Sequence, residues 1–168
     1  MKVVLRVALL LFTAAVLERG VFSQLRVHGV AADVLLLLAI SAGMVGGSDD
    51  GALVGFFAGL TLDLLVQTPL GLSALAYCIT GYVVGLAQGA VVRSTRWQAP
   101  ALAFAASFLG VGLYVVASLV VGRSGLFNRH LLAIMLVVAT ANAILIGVVN
   151  RPMRWALGEP SSRRAALR

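Results

Sequence analysis

Gly51-Ala-Leu-Val-Gly55-Phe-Phe-Ala-Gly59-Leu-Thr-Leu-Asp63-Leu-Leu-Val66 decides how this chain is read. Its four marked positions are four residues apart, so on a helix Gly51, Gly55, Gly59 and Asp63 fall on one stripe. In a bilayer, a glycine stripe lets a second helix approach closely and keeps the acid away from lipid. A second ladder follows at Gly81, Gly85 and Gly89. Between them Gln67-Thr-Pro-Leu-Gly71 is a tight connection, so the two ladders are expected on an antiparallel hairpin. They are expected to pack within the molecule, against each other or a third helix.

Composition agrees with a membrane chain. Of 168 residues, 61% are hydrophobic and 11% charged, against about a quarter charged in a soluble domain. The mean hydropathy is +1.03. Working outward from the hairpin, apolar runs fall at 3–17, 34–45, 52–66, 72–92, 99–121 and 131–149. The expectation is an all-α, polytopic membrane protein: one compact bundle of about six transmembrane helices over 1–158. A short, basic, disordered cytoplasmic tail is expected over 159–168. Gly46-Gly-Ser-Asp-Asp-Gly51 reads as a turn in which an acid or Ser48 caps the next helix. Glu18 to Asp33 is polar with apolar residues interspersed and is expected along the membrane interface. Trp97, and Arg151, Arg154 and Trp155 after the last run, are expected to flank the membrane.

The net charge of +7 does not indicate nucleic acid, because the arginines sit at the ends of apolar runs. With the N-terminus inside, nine basic residues are cytoplasmic (Lys2, Arg6, Arg93, Arg96, Arg151, Arg154, Arg163, Arg164, Arg168) and four are outside (Arg19, Arg26, Arg123, Arg129). Both termini are therefore expected in the cytoplasm, with anionic lipid attracted to that face.

Asp63 has three readings: a structural acid bonding Ser73 or Tyr77 across the hairpin, a partner-docking residue, or a coupling-ion site. Transporters gather several polar groups at the midplane, and no intramembrane Lys, Arg, Glu or His joins Asp63, so the first two are preferred. Asn142 and Gln88 are expected as interhelical hydrogen-bonding residues. A lone Cys78 excludes an intrachain disulfide, and His28 and His130 are too far apart in sequence to suggest a metal site. Protease, hydrolase and phosphate-loop motifs are absent from the sequence. No catalytic residue, cofactor or metal is expected.

His28-Gly-Val-Ala-Ala-Asp33, the Gly51–Asp63 stretch, Thr68-Pro-Leu-Gly71-Leu-Ser-Ala-Leu and Thr80-Gly81-Tyr82-Val-Val-Gly85 together resemble the MreD family. Ala32 departs from it, standing where a proline is common. The resemblance implies a non-enzymatic scaffold of the bacterial cell-elongation complex, in the inner membrane. Such a scaffold would bind MreC and, through it, MreB, RodA and the elongation-specific transpeptidase. On that reading Gly51, Gly55, Gly59, Asp63, Gly71, Gly81, Gly85 and Gly89 are partner or packing residues. A glycine-lined face would receive the partner's membrane helix, and Asp63 would hold the outer end of the hairpin. The family is also similar in fold to the vitamin-binding subunits of energy-coupling-factor transporters, which supplies the alternative of a small-molecule binder.

Overall fold

The computed structural model describes residues 2–20, 33–66, 70–90, 97–122 and 131–158. These form six α-helices: α1 Lys2–Gly20, α2 Val34–Gly46, α3 Ser48–Val66, α4 Leu72–Ala90, α5 Gln98–Val120 and α6 Leu131–Leu157. No strand occurs among the described residues. Two helices, α5 and the Met135–Leu157 part of α6, are long and apolar enough to cross a membrane. The expected tail at 159–168 and most of the polar stretch, 21–32, lie outside the described residues.

The bundle is organised around α2. Its sequence, Val34-Leu-Leu-Leu-Leu-Ala-Ile-Ser-Ala-Gly-Met-Val-Gly46, is apolar on every side, and a helix without a polar face belongs in an interior. Every residue from Val34 to Met44 is buried, and α2 touches all five other helices. Its start is set by Asp33, whose side chain accepts from the Leu36 N–H at 2.8 Å. Its end is set by Gly47, at φ +94°, where a side chain would be strained.

The connection after α2 is shorter than the sequence suggested. Ser48, Asp49 and Asp50 are not a turn before the helix but the first residues of α3 itself. Only Gly47 separates the two helices. A Cβ at Gly46 would meet the Asp50 side chain, so the reversal requires a bare backbone there too. Asp49 and Asp50 then lie where the free N–H groups and positive end of the α3 dipole favour anions.

The last helix is longer than the apolar run. It continues past Val149 through Arg151, Pro152, Arg154 and Trp155 to Leu157. Met153, Ala156 and Leu157 are buried, so packing holds the extension against the helix-breaking tendency of Pro152. At this end of the bundle, Arg6 from α1 donates to the Trp155 carbonyl at 3.1 Å. One turn further in, Ser41 of α2 bonds Asn150 of α6 at 2.6 Å.

Candidate functional site

The α3–α4 pair forms the most extensive helix contact in the molecule, and its seam is made of backbone. A Cβ added at Gly51 would run into the Gly81 carbonyl, one at Gly55 into Tyr77, and one at Gly59 into Ser73. From the other side, a Cβ at Gly81 would strike Gly51, and one at Gly85 would strike the Gly47–Ser48 backbone. The ladders meet at Gly51 and Gly81, and along the seam residue numbers fall on α4 as they rise on α3, as an antiparallel hairpin requires. A third glycine enters from α2, since a Cβ at Gly43 would lie 2.5 Å from the Gly81 carbonyl oxygen and 3.1 Å from the Gly85 nitrogen. Three backbones therefore converge near Gly81, and sequence reading missed Gly43. Its signal was the small-residue run Ser41-Ala-Gly43, a faint one beside the ladders. Gly89 lies in the last turn of α4, but its surroundings are outside the described residues. The described ladder glycines therefore lie against α2, α3 and α4 backbone within the molecule.

Asp63 stands at the far end of this seam, 1% exposed. Its Oδ2 accepts from the Gly71 N–H at 2.8 Å and the Ala74 N–H at 3.4 Å, and its Oδ1 accepts from the Ser73 N–H at 3.2 Å. These are the donors left unsatisfied at the start of α4. Asp63 is thus the N-cap of the following helix, supplied from the preceding one. Gly71 makes this possible by turning at φ +103°, a region that favours glycine. Of the two partners expected across the hairpin, Asp63 bonds Ser73, through its backbone N–H, while the Ser73 hydroxyl is buried without a partner among the described residues.

Tyr77 bonds a different acid. Its hydroxyl donates to Oδ2 of Asp33, whose Oδ1 caps α2. One carboxylate therefore ties the start of the central helix to α4. Glu18, in the last turn of α1, faces the same acid. Sequence reading had left both acids in an interfacial stretch. Deeper in the bundle, Asn142 of α6, fully buried, donates to the Ser107 hydroxyl of α5 at 3.0 Å, an interhelical bond of the expected kind. Outside the seam, Phe56, Leu75, Ile79, Leu113 and Val116 line an open apolar groove of about 670 Å³ between α3, α4 and α5.

These arrangements hold helices together. Among the described residues, no group of three or more His, Cys, Asp or Glu is placed to hold a metal ion. Asp33 and Asp63 accept from backbone N–H groups, and Asp33 also from Tyr77, which fixes the geometry of the helix starts.

A family described as rod shape-determining protein MreD matches residues 1–154. No curated protein and no solved structure matches the chain.

Proposed function

The chain belongs to the rod shape-determining protein MreD family, a membrane-associated family of shape-determining proteins, and from that premise we propose that it is a non-enzymatic scaffold of the cell-elongation machinery. On this reading it is a six-span protein of the bacterial inner membrane with both termini in the cytoplasm. It binds MreC and, through MreC, the MreB, RodA and transpeptidase components of peptidoglycan synthesis. The observation that carries the reading is a family match over nearly the whole chain. The interior supports it: the hairpin seam is rigid backbone contact, and its acid is engaged in capping. A scaffold needs a fixed outer surface more than a reactive centre.

The glycine seams being occupied, the partner's membrane helix meets a lipid-exposed face. Photocrosslinking residues at Phe12 of α1, Phe57 of α3, Val116 of α5 and Ile144 of α6, all exposed, sample the faces around the bundle. Crosslinks to a single-pass protein with a periplasmic coiled coil, confined to one or two neighbouring positions, are the expected result. Affinity purification from native membranes should bring down the same protein and cell-wall synthases. Recovery of a paired ATPase module or a bound vitamin instead would replace the scaffold with the small-molecule binder.

A further inference from the structure

One face of α6 carries a pattern that neither the packing nor the scaffold reading uses. Ile144, Val148, Arg151 and Trp155 are spaced four, three and four residues apart and so form one stripe. All four are exposed. The stripe is apolar for two turns and then ends in a cation and an indole, with Arg154 beside them, also exposed. Arg6 of α1 closes the charged end from the side. Its guanidinium lies 4.5 Å from the centre of the Trp155 ring and donates to the Trp155 carbonyl. That contact holds Arg6 in place and satisfies one of the free carbonyls at the end of α6.

None of the three arginines is paired with a carboxylate among the described residues. The acids at this end, Asp49 and Asp50, belong to the first turn of α3. Among the described residues the cluster is thus a set of three guanidinium groups without a carboxylate partner, set around a tryptophan and continuous with an apolar strip. A free anion would match only the charged half, and an acidic peptide would have no use for the Ile144–Val148 strip. An amphiphile with an anionic head matches both halves.

We infer that Arg6, Arg151, Arg154 and Trp155 form a binding site for the phosphate of an anionic phospholipid, whose acyl chain lies along Val148 and Ile144. The inference rests on the membrane reading above and not on any protein partner. Phosphate oxygens accept from Arg151 and Arg154, and Arg6, already oriented by Trp155, completes the cradle. The site would hold a lipid at the junction of α1 and α6.

Trp155 reports on the site directly. In the full chain carrying Trp97→Phe, it is the sole tryptophan, since the sequence has two. The protein is reconstituted into phosphatidylcholine vesicles containing a minor, equal fraction of acyl-brominated phosphatidylglycerol or acyl-brominated phosphatidylcholine, and quenching gives the relative association of each lipid. Phosphatidylglycerol is expected to quench several-fold more effectively. Each arginine near the surface contributes up to about fivefold in relative affinity, so Arg151→Gln with Arg154→Gln should remove most of the preference, leaving only what Arg6 contributes. Both side chains are exposed, so the fold should tolerate the pair. The control is Arg93→Gln with Arg96→Gln, which removes the same charge elsewhere in the chain and should leave the preference intact. Equal quenching by both lipids in the parent protein would overturn the site. So would a preference undiminished by loss of Arg151 and Arg154, or one that falls equally in the control, which would indicate diffuse surface charge. Because only protein and lipid are present, failure here leaves the scaffold reading standing, and failure to recover MreC leaves this result untouched.

Discussion

Charged side chains in this protein go to helix ends. Asp33 caps α2, Asp63 caps α4 from α3, Asp49 and Asp50 occupy the first turn of α3, and Arg6 meets the last turn of α6. Each sign matches the end of the dipole that it faces. Asp63 is the most exacting case, because one carboxylate serves three N–H groups in a buried place. Replacing it by Ala removes every side-chain acceptor and should destabilise the protein by about 2–4 kcal/mol, since bonds to a charged acceptor are the stronger kind. Asp63→Asn keeps one oxygen but presents an NH₂ to donors, so roughly half that loss is expected. Thermal denaturation in mild detergent, followed by size exclusion, ranks the three proteins. If Asn and Ala both melted with the parent, the cap would contribute nothing. A second test at this scale is Tyr77→Phe, which deletes the donor to Asp33 while keeping the ring. A loss of about 1–2 kcal/mol in the same assay is expected, and no shift would mean that Asp33 finds another donor.

At the level of the helix, the glycines divide into those that touch backbone and those that touch nothing. Gly55 and Gly147 are both mid-helix, yet a Cβ at Gly55 would overlap Tyr77 while one at Gly147 would meet nothing within 4 Å. Gly55→Ala must therefore separate α3 from α4, and overpacking of this kind costs about 1–3 kcal/mol or more. Gly147→Ala should be neutral or stabilising by up to about 1 kcal/mol, because alanine is the better helix former. Equal melting of the two variants would contradict a backbone seam at Gly55. The ladders themselves were legible in the sequence, since a four-residue period of glycine has one structural meaning in a helix. All six helices were legible too, from apolar runs bounded by polar or glycine-rich breaks. Ser73 was named as a partner of Asp63, but the sequence did not carry that the bonds run to backbone, nor that Tyr77 goes to Asp33. Asp63 bonds main-chain N–H groups, and a backbone donor has no side-chain identity to read. The start of α3 was misplaced by about four residues for a related reason: Ser-Asp-Asp serves turns and first helical turns equally well. Past Val149 the polarity of Arg151 and Arg154 argued for an end, and tertiary packing of Met153 and Leu157 overrode it.

Among the described residues of the whole molecule, five helices surround a sixth that is too short to need lipid. At 13 residues and about 1.5 Å each, α2 is about 20 Å long, against about 30 Å of hydrocarbon in a bilayer. Its buried position means that its neighbours, not lipid, satisfy its surface, so its length sets no limit on membrane thickness. It does set topology: α2 and α3 reverse at Gly47, and Ser41 with Asn150 puts that reversal at the same end as the close of α6. The positive-inside reading assigns this end, with Arg6, Arg151 and Arg154, to the cytoplasm. The acidic Asp49 and Asp50 lie there as well, which makes the reversal the sharpest place to test the assignment. In a Cys78→Ala background, single cysteines at Asp49, Ser124 and Ser161 can be probed with a membrane-impermeant maleimide on spheroplasts. Ser124→Cys, between α5 and α6, should label in intact spheroplasts. Asp49→Cys, exposed in α3, and Ser161→Cys should label only after permeabilisation. Labelling of Asp49→Cys from outside with Ser161→Cys protected would mean that the α2–α3 reversal and the end of α6 lie on opposite sides, which the Ser41–Asn150 bond forbids, and the bundle as described would be wrong. Labelling of both from outside, with Ser124→Cys protected, would keep the bundle and invert it in the membrane.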